Sequence, residues 1–316
     1  MWDLLVSLII MSTLTLFLAV AGASLQRLHN RRSLAFSVWL AVSVMGIYFV
    51  CLWNSPLLVT ILPFSSTVIL GNWLAPGGGF LAGVLFSTRA VHPVRRTLLA
   101  CSLLILCGYS LVSPLLGTAP RCANVEFERI LEFQTTDSTC SAACAAGLLR
   151  LHGIAATERE MAELCLTRRG THWLGVYRGL KLKTAGTEWD VVAERLSVPQ
   201  ILASESTPGV LSLSLHGWAA SRSEDSELSS LAGHSVVMLG LRRPGEASVF
   251  DPSPDYGFDV WTKTALRGVD SAILLRLVSR RGRTIVPPAN ADRDTQYLWN
   301  TIFWQRPRVQ QSRLDR

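Results

Sequence analysis

Four long apolar stretches near the start of the chain limit what it can fold into more than any other feature. They span residues 4–25, 33–53, 65–87 and 97–116. At about 1.5 Å per residue, each is long enough to cross a ~30 Å hydrocarbon core as a helix. Residues 1–120 carry only seven charged side chains, namely Asp3, Arg27, Arg31, Arg32, Arg89, Arg95 and Arg96. We therefore predict that residues 1–120 form an all-α membrane anchor of about four transmembrane helices, the third interrupted at residues 76–79 by a kink or a break in the helix.

The arginines predict how these helices are oriented. Three of them lie between the first and second stretches and three lie between the third and fourth, whereas the segment between the second and third has no basic residue. Cytoplasmic loops are enriched in Lys and Arg. With four spans, both termini and the second half of the chain lie outside the cytoplasm, and three or five spans would reverse this. The sequence thus predicts a multi-pass protein of the inner cell membrane with an extracytoplasmic domain.

The composition excludes several classes of protein. Hydrophobic residues make up 49% of the chain and the mean hydropathy is +0.31, which is too apolar for an ordinary soluble protein. The pI is near 9.3, but six arginines flank apolar stretches, so we expect a lipid bilayer as partner and no nucleic acid. None of the four stretches has an ionisable residue deep inside it, which favours an anchor over a transporter. The seven cysteines have no regular spacing, so we expect no metal, no cofactor and no disulfide framework.

The second half of the chain has a helical pattern first and an alternating strand pattern afterwards. Predicted helices begin at Cys140 with a stop at Gly153, and continue at residues 157–166, 173–184 and 188–196. Predicted strands lie at 209–216, 235–241, 247–250 and 272–278, with a short helix at 259–266. Helices followed by an antiparallel sheet make an α+β domain, which we place at 121–279. Residues 280–316 are basic and aperiodic, and we predict a C-terminal tail.

Cys140 stands where a reactive thiol is favoured. The residues before it, Asp137 to Thr139, are of helix N-cap types, and the run after it is strongly helix-forming. The positive end of the helix dipole favours the thiolate over the thiol. The alternative is a small buried residue of the core, which is the commoner role of a free cysteine.

Three other residues supply what a thiol nucleophile needs. His234 precedes a buried strand and Asp251 ends the next one, so a hairpin brings the two side chains together. Such an imidazole can activate the thiol, and the carboxylate can orient the imidazole. Gln134, six residues before Cys140, can donate its side-chain amide to a developing oxyanion, with help from the Cys140 N–H.

These residues resemble the papain-like peptidases that remove double-glycine leaders in bacteriocin exporters, family thirty-nine of the cysteine peptidases. The resemblance rests on Gln134 six residues before Cys140, on the ending Leu149 to Gly153, and on His-Ser-Val-Val followed by Phe-Asp-Pro-Ser around His234 and Asp251. It covers about residues 132–278 and implies a papain-like fold. It also implies that Cys140 is the nucleophile, His234 the general base and then acid, Asp251 the orienting group and Gln134 the oxyanion donor, with a peptide or protein as substrate.

The sequence departs from that family in two respects. The family usually has glycine after the cysteine, whereas this chain has Ser141, whose side chain would crowd the cleft or change specificity. The chain has no G-x-x-x-x-G-K-[ST] motif, so any export ATPase would be a separate partner. An outside domain also fits poorly with leader removal in the cytoplasm. Two alternatives therefore stay open, a catalytically inactive peptide-binding module and a regulatory membrane component of an export system.

The remaining candidate residues have simpler interpretations. Cys144 shares a helix face with Cys140 and is either core, the reactive thiol, or a disulfide partner of Cys165. Cys165 and His172 lack the partners for a zinc site. We interpret His152 and His216 as structural histidines, and Trp173 and Trp218 as core or cleft-rim residues.

Overall fold

The chain divides into two compact units, Met1–Thr118 and Ala119–Arg316. This division is seen in a computed structural model that describes residues 1–28, 31–88, 92–123, 126, 129–203, 208–215, 234–267 and 269–281. The predicted tail lies outside the described residues beyond 281. The predicted domain limits at 120 and 279 stay predictions.

The first unit is helical. Its α-helices are α1 (Trp2–Leu28), α2 (Arg31–Ile47), α3 (Leu57–Ile61), α4 (Thr67–Leu70), α5 (Leu74–Ser87) and α6 (Pro93–Val112). A π-helical turn, Tyr48–Leu52, continues α2, and a 3₁₀ turn, Ser113–Leu115, continues α6. Within the part of the chain that the structure describes, four stretches are long and apolar enough to cross a membrane, namely Trp2–Leu25, Ala35–Leu52, Thr67–Ser87 and Pro93–Leu115. These match the four predicted apolar stretches.

The predicted interruption at residues 76–79 is wrong. The helical path breaks earlier, at residues 71–73, and α5 then runs through the proline and the glycines without interruption. Pro76 lies in the first turn of α5, where a proline is tolerated. Gly79 and Gly83 of α5 serve close packing instead. A Cβ on Gly79 would lie 2.5 Å from the backbone oxygen of Thr15 in α1, and one on Gly83 would lie 1.8 Å from that of Ala19. Small residues let membrane helices approach in this way.

The second unit places its helices before most of its sheet. The helices are α7 (Cys140–Leu151), α8 (Glu158–Leu164), α9 (Trp173–Thr184) and the short α10 (Val198–Ile201). The strands are β1 (Trp189–Ser197), β2 (Gly209–Leu215), β3 (Ser235–Arg243), β4 (Glu246–Asp251), β5 (Gly257–Trp261) and β6 (Val269–Ser279). They form one antiparallel sheet in the order β1-β6-β2-β3-β4-β5. The predicted α+β class is confirmed.

Two predicted helices are not helical in the structure. Residues 188–196 were expected to be helical, but β1 occupies them and pairs with β6 along its whole length. Its burial alternates from Trp189 to Ala193, as a strand with one covered face requires. Residues 259–266 were also expected to be helical. Their first three residues instead complete β5, which is an edge strand of the sheet and ends at Trp261, and a turn follows it.

The helix that begins at Cys140 is the most buried element of the second unit. All twelve residues of α7 are buried, and the helix contacts β2, β3, α8 and α9. Gly153 follows it with a positive φ of 73°, as expected of a glycine that ends a helix. Val237 of β3 faces α7 at Gly147, whereas the continuous apolar core that includes Leu211, Met238 and Leu274 lies on the other face of the sheet. The contacts between α7 and β3 hold the first turn of the helix against the start of the strand.

Candidate active site

Cys140 is the first residue of α7 and is 8% exposed. Thr139 occupies the N-cap position, but its hydroxyl makes no capping bond to the helix and instead donates to the carbonyl of Thr136 at 2.9 Å. The first N–H groups of α7 therefore receive no side-chain cap from Thr139. The thiol consequently sits at a positive helix end whose partial charge favours an anion.

His234 and Asp251 are hydrogen-bonded to each other. Strands β3 and β4 are antiparallel neighbours, so the residue before β3 lies beside the last residue of β4. Nε2 of His234 lies 2.9 Å from both carboxylate oxygens of Asp251. The Ser253 N–H donates to the same carboxylate at 2.8 Å. Because Nε2 faces Asp251, Nδ1 is the ring nitrogen left for the Cys140 side chain, and the thiol and the ring each shift the pKa of the other.

The two protonation equilibria in this site shift in opposite directions. Burial by itself raises the pKa of the Cys140 thiol, but the hydrogen bond and charge of His234, with smaller help from Ser235 and Ser141, lower it below its usual value. Burial by itself lowers the pKa of His234, but Asp251 and Cys140 together raise it to about 9. Both shifts favour a thiolate beside an imidazolium at neutral pH. The structure therefore brings together three of the four predicted site residues.

Gln134 is tied to the same region through its backbone. Its N–H donates to the carbonyl of Pro252, the residue after Asp251, at 2.7 Å. Its side-chain oxygen Oε1 is buried and has no hydrogen-bond partner among the described residues. The segment thus runs alongside the end of β4, and the role of the side-chain amide as an oxyanion donor stays a prediction.

Sequence reasoning missed the buried charges that hold the Gln134 segment in place. The carboxylate of Glu158, 2% exposed, accepts from the N–H and the hydroxyl of Thr135 at 2.8 and 2.9 Å. Arg150, 5% exposed, donates to the carbonyl of Ile130 at 2.8 Å and lies 3.3 Å from the Glu132 carboxylate. The signal that was available is an arginine inside the otherwise apolar helix α7.

Ser141 is not at the surface of the site. Its side chain is 1% exposed, and its hydroxyl lies 2.8 Å from that of Ser235. The predicted crowding of the cleft by this residue is therefore not what the structure shows. Cys144, one turn further along α7, is 1% exposed and unbridged, and burial raises its pKa well above the usual value. Of its open interpretations, the structure supports a core residue.

The other candidates lie in structural positions. Cys165 is buried and unbridged, and burial raises its pKa to about 12. His172 is the N-cap of α9, where Nδ1 accepts from the Leu174 N–H. Trp173 is buried at the start of that helix. The described residues contain no group of three His, Cys, Asp or Glu that could hold a metal ion. His216 and Trp218 lie outside the described residues.

Comparisons with known proteins found similarity to solved structures alone. No protein-family model matches the sequence, and no curated protein matches it. Among solved structures, the chain is similar to the peptidase domain of Streptococcus ComA, a bi-functional ABC transporter involved in quorum sensing, at 16% identity and a TM-score of 0.38, covering 47% of this chain and 97% of that one.

Two further solved structures are similar at the same level. The peptidase domain of Streptococcus mutans ComA has 18% identity and a TM-score of 0.30, over 46% of this chain and 97% of that one. A double glycine motif protease from an AMS/PCAT transporter, in complex with the leader peptide, has 16% identity and a TM-score of 0.34, over 52% and 94%. Because these identities and TM-scores are low, they carry no functional conclusion, and the function proposed below is argued from the geometry of the site.

Proposed function

We propose that the protein is a membrane-anchored cysteine peptidase that hydrolyses peptide bonds of a peptide or protein substrate. The observation that carries this proposal is the pair His234 and Asp251, hydrogen-bonded at 2.9 Å, beside a Cys140 thiol whose pKa His234 lowers; the three come from the first turn of α7, the start of β3 and the end of β4. A thiol with a lowered pKa beside an imidazole with a raised one is the arrangement that nucleophilic thiol catalysis needs.

Each group has a defined step in the proposed mechanism. The Cys140 thiolate attacks the scissile carbonyl carbon, and the resulting oxyanion accepts hydrogen bonds from the Cys140 N–H and the Gln134 amide. Protonated His234 gives its proton to the leaving amine, which departs and leaves a thioester on Cys140. Neutral His234 then takes a proton from water as the water attacks the thioester, and the acid product leaves. Asp251 keeps the ring oriented and stabilises its charged form throughout.

An inactive peptide-binding module is the second candidate function. The reason for considering it is that Ser141 stands in place of glycine and could crowd the cleft. Because the side chain of Ser141 is buried against Ser235, this steric argument no longer applies. This candidate stays distinguishable because it predicts peptide binding without turnover.

The location and partners of the peptidase belong to the same proposal. The arginine distribution supports a domain outside the cytoplasm, carried by the four apolar helices. The double glycine motif protease of the AMS/PCAT transporter is in complex with the leader peptide. Leader-like peptides are therefore the first substrates to try with this chain. A separate export ATPase is the partner proposed for this chain.

Labelling and digestion test the proposal together. In the detergent-solubilised full chain, iodoacetamide should label Cys140 faster than the buried Cys144 and Cys165. His234→Ala should slow that labelling at pH 7 roughly tenfold or more, because burial alone raises the thiol pKa and each pKa unit changes the thiolate fraction about tenfold. A peptide-library digest should show products with the parent and none with Cys140→Ala. Labelling that ignores His234, or digestion that survives Cys140→Ala, would refute the peptidase.

A further inference from the structure

A buried pair of serine hydroxyls lies directly behind the contact between Cys140 and His234. Ser141 follows Cys140 in α7, and Ser235 follows His234 at the start of β3. The two hydroxyl oxygens are 2.8 Å apart, and the side chains are 1% and 0% exposed. The pair thus joins the residue after the thiol to the residue after the imidazole.

Ser235 contacts the first turns of α7 at two more points. Its carbonyl accepts from Sγ of Cys144 at 3.3 Å, and its backbone helps to lower the pKa of the Cys140 thiol. On the other side, Oγ of Ser141 lies 3.9 Å from Sγ of Cys140, within the range of a long hydrogen bond to sulfur. One residue of β3 is therefore bound to α7 through its hydroxyl and its backbone.

The hydrogen count of the pair leaves one proton for the sulfur. Each hydroxyl has a single O–H to donate, and only one of the two is used in the bond between them. When Cys140 is a thiolate, donation from Ser141 to the anion is favoured, because hydrogen bonds to charged acceptors are about twice as strong as neutral ones. Ser235 then donates to Ser141, and the two bonds polarise each other.

We propose that Ser141 and Ser235 form a hydroxyl relay that positions and stabilises the Cys140 thiolate. The hydroxyl of Ser235 donates to Oγ of Ser141, and the hydroxyl of Ser141 donates to Sγ of Cys140. The relay places a hydrogen-bonding side chain where a glycine would provide none. It deepens the proposed function, because it assigns two positioning residues to the same nucleophile.

The other groups around the sulfur must be accounted for in any pH measurement. Among the described residues, the titratable groups that act on the sulfur or on His234 beside it are His234 before β3, Asp251 at the end of β4, and Cys144 in α7. Cys144 stays neutral at working pH because burial raises its pKa. Variants of the two serines leave all three groups in place, so a change in the profile reports on the hydroxyls.

The test is the pH profile of Cys140 alkylation in the full chain, measured in detergent by mass spectrometry of the labelled peptide. Ser141→Ala should raise the pH of half-maximal rate by roughly half to one unit, since one hydrogen bond to a charged group is lost. Ser235→Ala should shift it in the same direction by less, because Ser141 keeps its own proton. Ser212→Ala is the matched control, since Ser212 is the half-buried serine opposite Ser235 in the β2–β3 register, and it should not shift the midpoint.

Several outcomes would overturn the relay. An unchanged midpoint in Ser141→Ala overturns it, and so do equal shifts in Ser141→Ala and Ser212→Ala. If Ser141→Ala folds too poorly to measure, Ser235→Ala decides, and an unchanged or lowered midpoint there overturns the relay. The variant His234→Ala tests the peptidase and not the relay. A shift with His234→Ala and none with the serine variants would reject the relay alone, whereas no shift with His234→Ala would reject the peptidase.

Discussion

At the scale of single residues, Asp251 acts on the state of the proposed nucleophile through His234. Its hydrogen bond to the ring is the largest of the influences that raise the pKa of His234 to about 9 against the opposing effect of burial, and its charge adds to it. The charged ring in turn lowers the pKa of Cys140. A carboxylate with no contact to the sulfur thus affects the reactivity of the thiol through one imidazole.

Replacing Asp251 should separate its charge from its hydrogen bond. Asp251→Asn keeps an oxygen that can accept from Nε2 but removes the negative charge, so the His234 pKa should fall and alkylation of Cys140 at pH 7 should slow roughly tenfold. Asp251→Ala removes the acceptor as well and should slow it further. The measurement is the alkylation rate against pH, and equal rates in the parent and Asp251→Asn would contradict this account.

His152 should make the second unit sensitive to acid. Its ring is 8% exposed, bonds the Leu148 carbonyl through Nδ1 and packs edge-on against Trp189 with ring centres 4.7 Å apart. Burial lowers its pKa from 6.5 to about 4. The unfolded chain therefore takes up a proton before the folded one does, and stability falls as the pH drops from about 6.5 towards 4, by about 2 kcal/mol at pH 5.

Unfolding of the detergent-solubilised protein at pH 7 and pH 5 would measure this effect. His152→Gln cannot titrate, so it should lose less stability than the parent between the two pH values. His92→Gln, at an exposed histidine, should behave like the parent. The interpretation fails if His152→Gln and His92→Gln have the same pH dependence.

At the scale of elements, α1 and α5 pack so closely that their interface admits almost no side-chain volume. A Cβ on Gly79 would lie 2.5 Å from the Thr15 carbonyl oxygen, and one on Gly83 would lie 1.8 Å from that of Ala19. Both obstacles are backbone atoms of α1, which cannot rotate away as a side chain can. The two helices would have to separate to accept a methyl group.

Gly83→Ala should therefore destabilise the first unit by about 1–3 kcal/mol, the usual cost of overpacking. Gly108 in α6 is the matched control, because a Cβ there meets nothing within 4 Å and alanine is the better helix former. Gly108→Ala should leave the thermal midpoint in detergent unchanged or slightly raised. Equal midpoints for the two variants would show that α1 and α5 are not this close.

Elements were predictable where their pattern was local and strong. The third predicted helix of the second unit, 173–184, has the same limits as α9, because its apolar residues recur about one turn apart and its start is capped by His172. The segment 188–196 was misassigned because its strand conformation depends on pairing with β6, about eighty residues later. Local propensity is weak against such tertiary pairing.

At the scale of the whole molecule, the orientation in the membrane decides which compartment holds the proposed substrate. With four spans, the loops that carry the arginines face the cytoplasm, and residue 54 and the second unit face outside. In a cysteine-free background, a membrane-impermeant maleimide should label Asn54→Cys and Glu163→Cys in intact spheroplasts, but His92→Cys only after lysis. Labelling of His92→Cys with protection of Glu163→Cys would place the domain in the cytoplasm.

The sequence by itself determined the properties that depend on composition and short spacing. The apolar stretches, the α+β order and the separation of Cys140, His234 and Asp251 could be read directly, because hydrophobic period and helix-end chemistry act over a few residues. Only the tertiary structure decided that Ser141 turns inward to Ser235, that Glu158 and Arg150 hold the Gln134 segment, and that the α5 glycines face α1. Those outcomes depend on which distant backbone lies opposite each side chain, and no local pattern encodes that.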